Sequence, residues 1–143
     1  MPNFDLVLRN CNLINENSIS QVDIAIKDKR IEKISSVITE KANKEIDVNG
    51  KNVAPGVIDD QVHFREPGLT KKGEIKTESL AALYGGITST MDMPNVSPAS
   101  TTLDLLEERF QLAKEKSWTN YSFYLGATPV SYTHLTLPTI VDV

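Results

Sequence analysis

The sequence predicts an α/β fold preceded by a small β element, and three observations carry that prediction. Residues 1–53 hold short segments of alternating apolar and polar side chains separated by polar turns, the pattern of half-buried strands. After Val53-Ala54-Pro55-Gly56 the pattern changes to strand-like and helix-like segments in alternation, as in βα units. The 143 residues give room for three such strands, whereas a closed eight-stranded βα barrel needs about 250 residues. The expectation is a small open α/β domain or the beginning of a longer protein, its strands belonging to a doubly wound sheet or an incomplete barrel.

Residues 4–10, 22–27 and 31–35 alternate in polarity, with turns at Asn15-Glu16-Asn17 and Asp28-Lys29-Arg30 between them, so they read as short antiparallel strands. Residues 45–48 are a further strand, closed by Asn49-Gly50, a dipeptide suited to the positive φ of a tight turn. Residues 57–63 open the βα series. A helix over 73–84 follows, ended by Gly85-Gly86, because glycine takes the left-handed C-terminal conformation without strain. Residues 87–93 read as the next strand. Thr101 with Asp104 resembles a capping box, and Leu106, Phe110 and Ala113 then recur at helical spacing through Lys116. Residues 120–125 complete the series as its third strand.

Composition narrows the function classes. No window approaches the roughly 20 consecutive apolar residues of a membrane span, and Met1-Pro2-Asn3-Phe4-Asp5 lacks the basic and apolar regions of a signal peptide. A cytoplasmic protein is expected. Cys11 is the single cysteine, which excludes an internal disulfide and suits a small buried residue better than a metal ligand. A net charge of −4, with lysine and glutamate interspersed, argues against nucleic acid and for a small-molecule ligand.

The chemistry concentrates in Pro55-Gly56-Val57-Ile58-Asp59-Asp60-Gln61-Val62-His63-Phe64-Arg65-Glu66-Pro67-Gly68. In an extended strand Gln61, His63 and Arg65 project to one side while Val62 and Phe64 point to the other. Residues two apart sit about 6.6–7 Å from each other along one face, close enough to converge on one ion. His63 lies at the C-terminal end of its strand, where barrels and open α/β sheets place their sites. Arg65 carries a planar fork of donors suited to a carboxylate, although an exposed arginine is also an ordinary surface residue. Asn95, after Met93-Pro94, can bind a carbonyl or carboxylate or can simply form a turn. Asp59, one strand step before Gln61, is either placed to orient a ligand from behind or a structural carboxylate.

This run, together with Gly85-Gly86-Ile87-Thr88-Ser89-Thr90-Met91-Asp92-Met93-Pro94-Asn95, resembles the N-terminal region of the dihydroorotases in the amidohydrolase superfamily, over roughly residues 1–128. The resemblance implies a small β-sandwich element over residues 1–53 and the first three strands of a (β/α)8 barrel over residues 54–128. It implies a centre of one or two zinc ions in the full-length protein, where activated water opens the ring of dihydroorotate; the reverse reaction cyclises N-carbamoyl-L-aspartate. His63 then maps onto a zinc ligand, and Arg65 with Asn95 onto the residues that hold the substrate carboxylate. Arg65 favours dihydroorotate over hydantoins. A homodimer is compatible with the full-length protein, and neither nucleic acid nor membrane is implied as a partner.

Two departures from the family pattern shape the expectation. Gln61 stands where the pattern has the first histidine of a pair, and an amide oxygen is a weaker zinc ligand than an imidazole nitrogen. A noncatalytic dihydroorotase-like scaffold subunit is therefore an alternative, as is a hydantoinase-like or allantoinase-like hydrolase. The family's remaining ligands, a bridging lysine, two histidines and an aspartate that acts as general base, would lie beyond this C-terminus, so no catalytic residue is assigned and the chain alone is expected to be inactive. Residues 129–143 depart from the family and resemble a translated sequencing adapter, which removes His134 as a ligand.

Overall fold

The computed structural model describes residues 3–128 and divides the chain into two units that meet between Pro55 and Gly56. Residues 129–143, with His134, lie outside the described residues.

The first unit holds β1 (Phe4–Asn15), β2 (Ser18–Lys27), β3 (Arg30–Ser35), β4 (Ala42–Asp47) and β5 (Asn52–Val53). These form one five-stranded sheet in the order β3-β2-β1-β4, with β5 also paired to β1. β1, β2 and β3 are antiparallel neighbours, as the alternation predicts. β4 and β5 instead run parallel to β1, a direction that alternation cannot reveal because side chains repeat every two residues in both kinds of ladder. A sandwich packs two sheets face to face, and the described residues of this unit supply one such sheet. Asn49 and Gly50 do take positive φ, but their turn joins two strands that follow the same direction along β1 rather than closing a hairpin. Phe4, Val7, Ala25 and Ile38 form the core, and Cys11 is fully buried.

The second unit holds β6 (Val57–Val62), α1 (Ile75–Tyr84), β7 (Ile87–Asp92), α2 (Leu103–Lys116) and β8 (Asn120–Phe123). The three strands are parallel in the order β6-β7-β8, so each helix is a crossover between neighbouring strands. Val62, Phe64, Ile75, Ala113 and Phe123 form its core, with Leu106, Phe110 and Tyr121 packed against them. Phe110 meets Phe123 edge to face with ring centroids 5.0 Å apart, a favoured aromatic geometry. The chain is thus mixed α/β, and the three strands of this second unit form an open parallel sheet.

Local chemistry sets the helix ends. α2 is capped one residue later than the sequence suggested: the Thr102 hydroxyl accepts the Leu105 N–H at 3.3 Å. Asp104 in its first turn and Lys114 and Lys116 in its last complement the helix dipole. At the end of α1, Gly85 remains helical with φ −80° and Gly86 takes the positive φ of 89°.

Candidate functional site

β6 and β7 place the sequence-selected residues at the C-terminal ends of adjacent parallel strands. His63 follows the last residue of β6, and Asn95 lies three residues past the end of β7. Asp92 Oδ1 accepts the Phe64 N–H at 3.1 Å, and the Met93 N–H bonds the Val62 carbonyl at 3.0 Å, which fastens the two strand ends together.

The alternation expected along residues 57–65 holds in part. Val62 and Phe64 are buried, and Gln61 and His63 are exposed. Within β6, however, Asp59 faces Thr90 and Val62 faces Asp92, so three steps on β6 match two on β7. At this irregularity Asp59 Oδ1 accepts the Gln61 N–H at 3.1 Å, which turns the carboxylate along its own strand. Arg65 departs further: its φ of 67° lies in the left-handed region, uncommon for any residue but glycine, and takes it off the strand.

His63, Arg65 and Asn95 nevertheless come together. His63 Nδ1 lies 2.9 Å from Asn95 Oδ1, and a long 3.5 Å contact joins Arg65 Nη1 to the Asn95 carbonyl oxygen. An amide oxygen only accepts, so this contact is a hydrogen bond when the ring proton sits on Nδ1, the tautomer that leaves the lone pair on Nε2. Gln61 and Asp59 pair with each other and form no hydrogen bond to this trio among the described residues.

Buried near this trio lie residues that the sequence reading did not select. Arg109, with no exposed surface, donates from Nη2 to Asp92 Oδ2 at 2.5 Å and from Nη1 to Ser100 Oγ at 3.2 Å, and it stacks 4.3 Å from the Phe123 ring centroid. Burial pushes the Asp92 carboxyl above the usual carboxylate range, against the pull of the Arg109 charge. Glu66 is also buried; its carboxylate accepts the first N–H of α1, from Ile75 at 3.0 Å, and an ion pair from Lys116 Nζ at the end of α2. That hydrogen bond holds the Lys116 ammonium above the ordinary lysine range. Gly68 closes the same loop, where φ is +80° and a Cβ would fall 2.0 Å from the Ser97 carbonyl oxygen, so only glycine fits. One sequence signal pointed to Arg109: it lies three residues after Leu106 and one before Phe110, on the apolar stripe of α2, where a charge needs a buried partner.

The donors fit one wall of a zinc site. His63 offers Nε2 as a nitrogen donor while its Nδ1 is engaged with Asn95, and the Gln61 amide oxygen is a weaker second candidate. Catalytic zinc takes three protein ligands, and no group of three or more His, Cys, Asp or Glu gathers among the described residues. What the described residues assemble is an imidazole beside a guanidinium, both tied to one asparagine.

Comparison with known proteins agrees with the resemblance read from the sequence. Residues 50–128 match the family model described as dihydro-orotase-like. A dihydroorotase of Fusobacterium nucleatum is 38% identical over 112 residues, covering 78% of this chain and 26% of the relative. An L-hydantoinase of Paenarthrobacter aurescens is 34% identical over 128 residues, covering 88% of this chain and 28% of the relative. The solved L-hydantoinase from Arthrobacter aurescens superposes with a TM-score of 0.86 at 31% identity, covering 96% of this chain and 31% of that one. The chain therefore spans about a quarter to a third of the length of these relatives.

Proposed function

The chain belongs to the dihydro-orotase-like family, and on that premise we propose that it forms one wall of the active site of a zinc-dependent cyclic amidohydrolase acting on dihydroorotate and N-carbamoyl-L-aspartate. One observation supports the choice of substrate: Arg65, whose planar donor fork suits a carboxylate, lies beside His63 through their shared partner Asn95. Only one Arg65 nitrogen is engaged there, by a long contact, so the rest of its donor fork is available to a carboxylate. The dihydroorotate ring bears such a group; a simple hydantoin ring does not.

Zinc, when bound, supplies activated water near neutral pH and polarises the scissile carbonyl. His63 offers Nε2 as one ligand. Arg65 binds the substrate carboxylate and orients the ring, converting binding into correct placement of the reacting amide. The described residues supply one imidazole and one amide oxygen toward the ion, so the chain by itself is proposed to be inactive.

Arg65→Ala in the longer protein carrying this segment tests the assignment. Losing a charge-assisted hydrogen bond of about 1.5–3 kcal/mol should raise KM for dihydroorotate by about 10- to 100-fold, with hydantoin turnover nearly unchanged. The similarity to L-hydantoinase favours a second reading, a carboxylate-free cyclic amide as substrate. If the native protein turns over hydantoin and not dihydroorotate, that second reading replaces the first. Gln61 motivates a noncatalytic scaffold, which fails if the longer protein with native Gln61 holds zinc and turns over substrate.

A further inference from the structure

We propose that Asn95 is a positioning residue that fixes the tautomer of His63, in addition to any contact with substrate. Its Oδ1 lies 2.9 Å from His63 Nδ1, so the ring proton is held on Nδ1 and the lone pair is presented from Nε2. Neutral imidazole in water favours the opposite arrangement, with the proton on Nε2, where it blocks ligation. A histidine free to choose would spend much of its time in the wrong form, and apparent affinity falls in proportion to the competent fraction. Asn95 removes that loss before any ligand arrives.

The asparagine can do this because its own backbone is held without help from a ligand. Its carbonyl oxygen takes the contact from Arg65. On either side of it, the Val96 and Ser100 N–H groups bond the Pro94 carbonyl at 2.9 and 3.2 Å, and the Ser97 N–H bonds the Pro67 carbonyl at 3.1 Å. The segment after β7 is thus stitched to itself and to the loop after β6. With Oδ1 occupied, the Asn95 amide nitrogen makes no hydrogen bond among the described residues, so the same side chain can orient His63 with one atom and donate to a ligand with the other.

The inference rests on the reading of His63 as a ligand, but its test needs neither zinc nor turnover. The 143-residue chain carries two histidines, so 15N-histidine labelling with His134→Gln leaves the His63 ring alone in the spectrum. Magic-angle-spinning 15N spectra, which tolerate self-associated material, are recorded in alkaline buffer, where imidazole is neutral. The expected result is a protonated, pyrrole-type Nδ1 and an unprotonated, pyridine-type Nε2. Asn95→Ala should move the proton to Nε2, and Asn95→Asp, which still offers an acceptor, should keep it on Nδ1. A proton on Nε2 in the native chain overturns the proposal whatever the variants do, and so does an unchanged tautomer in Asn95→Ala. In the longer protein, Asn95→Ala should weaken zinc binding by about 10- to 100-fold. Failure of dihydroorotate turnover would leave the nitrogen spectrum standing, and an inverted spectrum would leave the substrate assignment standing.

Discussion

Arg109 carries its guanidinium into the interior of the second unit, where Asp92 accepts from it at 2.5 Å and also accepts the Phe64 N–H. Such a pair must offset the desolvation of two charges, so its net contribution is small while both partners remain. Removing one partner is different, because the other is left buried and unpaired. Asp92→Ala should therefore destabilise the unit by about 3–5 kcal/mol, whereas the double change Asp92→Leu with Arg109→Met should cost much less. Urea unfolding of the single and double variants measures this; equal losses in both would refute it. The pair also reaches the site: with Asp92 gone, the Phe64 N–H between His63 and Arg65 loses its acceptor, and its exchange with solvent should accelerate in both variants.

In the first unit the comparable element is the bulge in β1. Leu8 faces Ile24 and Cys11 faces Val22, so Arg9 and Asn10 together stand opposite Asp23. The Asp23 carboxylate fills the gap, accepting from Asn10 N at 3.1 Å, Ile38 N at 3.1 Å and Arg9 Nη1 at 2.8 Å. Burial pushes this carboxyl up, but the Arg9 guanidinium and the two backbone donors outweigh it and hold the group below the ordinary range. A depressed folded pKa means that the stabilisation is present above the unfolded value of about 3.9 and is lost as pH falls through the folded one. Protection of the β1 and β2 amides should thus decline on acidification below the ordinary aspartate range, and Asp23→Asn should flatten that decline. An unaltered profile in Asp23→Asn would remove Asp23 from the explanation. The strands flanking this bulge were legible in the sequence because alternation is a local signal. The bulge, the parallel pairing of β4 and the Asp92–Arg109 pair were not, since each depends on a partner distant in the chain. The site divides the same way: strand-end position and side-chain chemistry singled out His63, Arg65 and Asn95, but not the bond between His63 and Asn95 or the left-handed turn at Arg65.

Across the whole chain, each unit leaves apolar surface and sheet edge open to solvent. β6 and β8 are the edges of the three-stranded sheet, and on β6 Val57 is 55% and Ile58 67% exposed. In the first unit β3 is an edge strand whose Ile31 is 65% exposed. Open edges with unpaired N–H and C=O groups template pairing with another chain, and exposed apolar side chains add a driving force of about 25 cal/mol per Å² buried. Charge gives partial protection, because a net −4 opposes close approach at low ionic strength and is screened over about 8 Å at physiological salt. The 143-residue chain should therefore self-associate, more strongly as salt is raised, and sedimentation velocity across a concentration series measures it. Ile58→Lys, which sets a charge on the open edge, should shift the distribution toward monomer. A monodisperse monomer with a sharp cooperative unfolding transition would show that these surfaces are tolerated in water and would overturn the prediction.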